Sequence, residues 1–270
     1  MSKIKALAIL NAVFFLVHLV PSQLTQLKLL SGQSIGDVSD KYPTLFTPAG
    51  ITFSIWGLIY LALIVFCIYH LLKAFNADAT HEANRDVQRL GYLFIGNNLA
   101  TGAWTIAWVH ELLVLSVALM LMQLLTLLAM QLRLGIFDPA RSAASRWFTQ
   151  VPLSLYFGWI CIATIANVSA VLVGVGWDGF GLSPEFWTVV MLVVATLLTL
   201  FVVLTRHNPF VGLVTLWAFY GIILKQREQY PGSYPEIITT TWIGMALVAA
   251  AVLVILYRNS LAAKAAVTEV

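Results

Sequence analysis

Eight stretches of about twenty largely apolar residues follow one another along the chain, the length an α-helix needs to cross the hydrocarbon core of a bilayer. They fall at 4–23, 49–73, 89–110, 112–133, 148–172, 185–206, 209–226 and 237–257. All twelve acids lie in the connections or at segment ends: Asp37, Asp40, Asp78, Glu82, Asp86, Glu111, Asp138, Asp178, Glu185, Glu228, Glu236 and Glu269. The runs are continuous rather than alternating, which excludes a β-barrel. Only 10% of the residues are charged and 60% are hydrophobic, whereas a soluble domain carries about 25% charged residues. The chain therefore reads as an all-α integral membrane protein. A soluble enzyme and a disordered chain are excluded, and a net charge of +3 offers no nucleic-acid surface.

Turn chemistry punctuates the runs. Ser183-Pro184-Glu185 combines a cap, a first-turn proline and an acid, a helix start. Asn208-Pro209 makes a tight break, and His110-Glu111 another. Lys3 and Lys5 before Ala6–Val20 have the look of a signal peptide. No small-x-small cleavage site precedes Pro21-Ser22-Gln23, so the segment is expected to stay as the first span.

The basic residues set the expected topology. With the N-terminus inside, Lys3, Lys5, Lys73, Arg85, Arg89, Arg133, Arg141, Arg146, Arg206, Arg258 and Lys264 are internal. Lys28, Lys41, Lys225 and Arg227 are external. By the positive-inside rule this gives eight spans with both termini cytoplasmic. Such a chain is expected in a prokaryotic cytoplasmic membrane. Lys225 and Arg227 are the exception and are expected to snorkel from a helix end. The longest outer connection, 24–48, is polar and rich in turn residues, and long ordered loops are often lids or binding loops.

No Asp, Glu, Lys or Arg sits at mid-membrane, which argues against a proton-driven pump. Cys67 and Cys161 fall inside apolar runs and act there as small hydrophobes. The five histidines show no metal spacing. His18 and His110 lie near the outer face, as interfacial residues or as caps or haem ligands of a pocket.

The nine tryptophans carry more information. Trp108, Trp147, Trp177, Trp187 and Trp242 fall near helix ends, where the interfacial belt accounts for them. Trp56, Trp104, Trp159 and Trp217 lie deeper. Three spans line up aromatic and polar residues at helical spacing. The second carries Ala49, Phe53, Trp56 and Tyr60; the third Asn97, Thr101, Trp104 and Trp108; the fifth Tyr156, Trp159, Ala163 and Asn167. Such polar residues serve either as glue between helices, at about 0.6 kcal/mol per bond, or as the few polar groups of one aromatic cavity.

These residues also carry a resemblance. The stretch FTPAGITFSIWGLIYLALIVF, with Pro48, Trp56 and Tyr60, resembles the second helix of the TspO/MBR family of tryptophan-rich sensory or translocator proteins. LYFGWICIATIANV, with Tyr156, Trp159, Ala163, Thr164 and Asn167, resembles the family's fifth helix, and NNLATGAWT its third. The chain departs from the family pattern at Thr47, Ser54, Thr101 and Leu155, where the family has proline, proline, asparagine and proline. The resemblance covers residues 1–172 and implies a TspO-like five-helix bundle. Residues 173–258 would add three spans, in a longer eight-helix branch, and 259–270 a cytoplasmic tail.

The resemblance implies a receptor or carrier that binds a planar apolar ligand, a porphyrin or other tetrapyrrole or a sterol, between the second, third and fifth spans. The expected site is Pro48, Phe53, Trp56, Tyr60, Asn97, Thr101, Trp104, Tyr156, Trp159, Ala163 and Asn167. The alternatives are an exporter of a small apolar metabolite and a membrane enzyme that modifies the bound tetrapyrrole. No acid–base or nucleophilic constellation favours the enzyme. No obligatory cofactor is expected beyond a porphyrin or haem ligand. Expected partners are the apolar ligand, membrane lipid and a second copy in a homodimer.

Overall fold

A computed structural model describes residues 2–136 and 141–268, with side chains described as far as Asn259. Among the described residues the regular structure is helical, and seven helices are long and apolar enough to cross a membrane.

The first, α1 (Lys3–Gln26), starts at the Ser2 cap and continues through Pro21. A short helix α2 (Ile35–Lys41) follows in the expected outer loop. It opens with a capping box in which the Ser34 hydroxyl accepts from Asp37 N and Asp37 accepts from Ser34 N. A 3-10 turn, Gly50–Ser54, leads into α3 (Ile55–Asn76).

The expected third span, 89–110, is shorter than expected. Its first two residues belong to a preceding helix, α4 (Glu82–Leu90), which Gly91 ends at φ 54°, and the rest forms α5 (Leu93–Val109). The 17 residues of α5 extend about 25 Å at 1.5 Å each, short of the roughly 30 Å hydrocarbon core. It is nonetheless the most enclosed of the apolar helices, with α1 and α6 (Leu113–Leu134) packed along it. A single turn, α7 (Ala143–Ser145), runs through a π turn at Arg146–Gln150 into α8 (Val151–Gly174).

Two of the last three helices begin where turn chemistry predicts. α9 (Pro184–Arg206) starts on Ser183, whose hydroxyl accepts from Phe186 N. α10 (Pro209–Gln229) starts on Asn208, whose side chain accepts from Phe210 N. His207 between them takes the left-handed conformation, at φ 52°. The final helix, α11 (Pro235–Thr268), continues as helix beyond the expected end of its span at 257.

Packing closes the expected first five spans into a ring: α3 on α1, α1 on α5, α5 on α6, α6 on α8 and α8 back on α3. α10 lies against the outside of α8, and α9 and α11 pack together on α10. Leu61, Leu125 and Leu253 are more than 60% exposed, an apolar exterior of the kind that faces lipid. Trp147 and Trp242 are exposed near helix ends, as an interfacial belt requires. Lys225 departs from its expected snorkelling position and is buried at 3% exposure.

α10 approaches the ring so closely that a side chain at Gly221 cannot be accommodated. A Cβ there would lie 2.9 Å from Thr52 Cβ and 3.0 Å from Pro48 Cβ. The contact is fastened by backbone: Ala49 N donates to Gly221 O at 3.0 Å. Trp217 Nε1 donates to Thr52 O at 2.9 Å, and Gln226 Nε2 to Leu45 O at 2.8 Å. The segment 45–54, which carries two of the expected site residues, is thus held by a helix outside the ring.

Candidate functional site

Inside the ring, near the 24–48 connection, α3, α5 and α8 leave a hollow lined on three sides by indole rings. Trp56 comes from α3, Trp104 and Trp108 from α5, and Trp159 from α8. Trp104 and Trp108 lie stacked, centroids 6.0 Å apart and planes 13° from parallel, the arrangement that four-residue spacing on one helix permits. Trp159 meets Trp56 and Phe53 edge-to-face, at 6.3 and 5.8 Å. Pro48, Ala163 and Asn167 complete the expected residues in the lining. Asn167 Nδ2 donates to Ser116 Oγ at 3.1 Å, which fixes the amide at the wall.

The free space amounts to about 40 Å³, enough for a few waters. Pockets for drug-sized ligands run to about 300–1,000 Å³. A flat ligand of tetrapyrrole size therefore requires the walls to part. Buried indoles ordinarily find an acceptor for their N–H. Trp108 does so, donating to Ile35 O at 3.1 Å. Trp104 Nε1 and Trp159 Nε1 are buried with no hydrogen-bond partner among the described residues.

Four expected site residues lie outside the lining. Asn97 Nδ2 donates to Gln123 O at 3.1 Å and Thr126 Oγ1 at 2.9 Å, binding α5 to α6. Thr101 Oγ1 and the Tyr156 hydroxyl share a hydrogen bond of 2.6 Å, joining α5 to α8. Tyr60 packs under Trp56, centroids 5.3 Å apart, and against His18. Tyr156 touches the edge of Trp56 from behind. These groups brace the indoles from outside. His18 is buried with Nδ1 3.0 Å from Asn98 Oδ1, and exposed His110 lies 2.9 Å from Ile106 O. Neither lines the hollow, and the described residues contain no group of three metal-ligating side chains.

Several lining residues carry no motif of their own. Met120, Ile162, Ala166 and Ala170 fill the wall from α6 and α8. Ile35 and Ser39 of α2 cover the side toward the 24–48 connection. This cover is pinned at Glu111, in the tight α5–α6 turn at φ 58°. Its carboxylate accepts from Lys41 Nζ at 2.5 Å, Tyr42 OH at 2.7 Å and Gln33 Nε2 at 3.4 Å. Those hydrogen bonds, Lys41's first, hold the Glu111 carboxyl down at about 2. The pin forms fully above the ordinary carboxylate range and is lost only as pH falls toward 2.

With this geometry in hand the sequence finds its relatives. The family model for TSPO-like proteins matches residues 8–254. The chain belongs to the TSPO-like family. The match runs from α1 into α11, so it takes in the helices outside the ring as well. No curated protein and no solved structure gives a significant match to this TSPO-like chain.

Proposed function

We propose that this TSPO-like membrane protein is a receptor or carrier for a flat apolar ligand, a tetrapyrrole or a sterol-like molecule, taken up between α3, α5 and α8. The observation that carries the reading is the pair of buried, unbonded indole N–H groups on one aromatic hollow. Two unmet donors among apolar walls favour a ligand with a wide flat face and a hydrogen-bond acceptor at its edge. Entry would displace α2 and the Glu111 pin, and the indoles would then separate to admit the ligand plane. The reading is of binding rather than catalysis, since the lining is aromatic and aliphatic apart from the Ser39 hydroxyl and the Asn167 amide, and it includes no acid, histidine or lysine to activate that hydroxyl. In this proposal α5 crosses as the eighth span despite its length, and both termini lie on the cytoplasmic side of a prokaryotic inner membrane, as the basic residues require.

Titrating the purified protein with protoporphyrin IX while following tryptophan fluorescence tests the site. Wild type should show saturable quenching. A Trp56→Ala, Trp159→Ala double variant should bind at least about fivefold more weakly, by loss of two aromatic contacts of about 0.5–1.5 kcal/mol each. Unchanged affinity in that variant would remove the site. The exporter reading gains from the grip of α10 on segment 45–54, which ties the site to a helix outside the ring. Flux of the same ligand across proteoliposomes separates the two, because a receptor binds without flux.

A further inference from the structure

A second groove lies on the opposite flank of α8, far from the indoles in the fold and independent of the reading above. α6 packs along α8, whereas α9 reaches α8 only narrowly. Between their ends opens a cleft of about 320 Å³ floored by Phe157 of α8. Its apolar walls are Leu128, Leu132 and Phe201, which are 40%, 58% and 61% exposed to the outside of the bundle. Leu128 and Phe201 lie a turn or more deeper along α6 and α9 than the polar groups Gln131, Arg206 and His207, which sit at the end of the bundle where the sequence places most of its Lys and Arg.

The polar end is arranged around Arg206. Gln131 Nε2 is engaged by Leu153 O at 3.0 Å, Thr205 Oγ1 by Phe201 O at 2.6 Å, and Asn208 Nδ2 by Ser154 Oγ at 2.8 Å. Arg206 is exposed and has no ion pair or hydrogen bond among the described residues. No acid among the described residues lines the cleft. His207 is held beside Arg206 by the left-handed turn that ends α9, a conformation that costs a non-glycine residue energy.

We propose that this cleft is a binding site for an acidic phospholipid, one acyl chain lying along Leu128, Leu132 and Phe201 and the headgroup phosphate meeting Arg206. A cleft open to hydrocarbon is filled by acyl chain in a bilayer. The guanidinium at its polar end, unpaired among the described residues, selects the headgroup, because it matches phosphate in charge and in its forked geometry. Basic pockets between spans on the cytoplasmic side bind acidic headgroups on the same physics.

The experiment is native mass spectrometry of the full chain released from detergent with added lipid. Dioleoyl-phosphatidylglycerol should be retained at least fivefold more than dioleoyl-phosphatidylcholine. Arg206→Gln should abolish that preference with unchanged tryptophan emission, which certifies the fold of this exposed-site variant. Arg133→Gln, an exposed arginine at the same end of α6 but outside the cleft, should keep it. Equal retention of the two lipids, a preference that survives Arg206→Gln, or an equal loss in Arg133→Gln would each overturn the proposal. Displacement of the lipid by soluble glycerol phosphate would overturn the lipid assignment in favour of a free phosphate.

Discussion

Gly221→Leu is expected to unfold the protein at temperatures where wild type is intact. The helix carrying Gly221 lies so close to the turn at Gly50–Ser54 that even one added carbon would overlap Thr52 and Pro48. The obstruction cannot be relieved by a flexible tip, because Pro48 is rigid and Thr52 is buried at 1% exposure. Overpacking of this kind costs about 3 kcal/mol, the upper part of its ordinary range. The backbone bond from Ala49 N to Gly221 O and the bond from Trp217 to Thr52 O would be lost with it. Thermal unfolding in detergent, followed by circular dichroism, should show a fall of several degrees or more. Gly221→Ala should fall between wild type and leucine. Since Pro48 and Phe53 ride on the displaced segment, ligand affinity should fall in the same order.

Arg141→Ala is expected to be at least as damaging, at the other end of the molecule. The Arg141 side chain is 7% exposed and forms ion pairs with Glu82, at 2.9 Å, and with Asp86, itself 1% exposed. It also donates to Leu134 O at 2.7 Å, so one guanidinium joins α4 to the end of α6. Removing one partner of a buried pair costs about 3–5 kcal/mol, because the other charge is left buried alone. Burial already lifts the Asp86 carboxyl to about 6 against the pull of Arg141. A folded value above the unfolded one means that protonation stabilises the fold, and this contribution is lost as pH rises through about 6. Without the pull of Arg141 that carboxyl rises further, so the variant should be weakest at pH 7–8 and recover part of its stability as pH falls from there to 5. Melting temperatures across that range check it, and a deficit independent of pH would mean that Asp86 is not the stranded charge.

Much of this architecture is legible in the residues. Apolar run length finds the membrane helices, and Ser183-Pro184 and Asn208-Pro209 mark two helix starts to the residue, because caps and first-turn prolines act through neighbours in sequence. Spacing also brings Trp56, Trp104 and Trp159 to one hollow. It does less well with the polar residues beside them. Asn97 and Thr101 share a helical face with Trp104 by counting, yet they bond to α6 and to Tyr156. Which neighbour a face meets depends on helix crossings that no single helix encodes. Trp108 sits at a helix end and reads as interfacial belt, although its four-residue step from Trp104 is the signal for the stack. The division at Gly91 hides in a run that is apolar on one side only. The hold of α10 on segment 45–54 spans more than 160 residues of sequence, as from Trp217 to Thr52, beyond the reach of any local pattern.

The central claim is that two indole N–H groups stand ready for a ligand acceptor, and indole resonances read it directly. In ¹⁵N-labelled protein, the Trp104 and Trp159 Nε1–H signals should move downfield together as protoporphyrin IX is added. The Trp187 signal, already bonded to Gly179 O at 2.9 Å, should stay in place. Saturable ligand binding that leaves the Trp104 and Trp159 signals unmoved would place the ligand elsewhere and contradict the account.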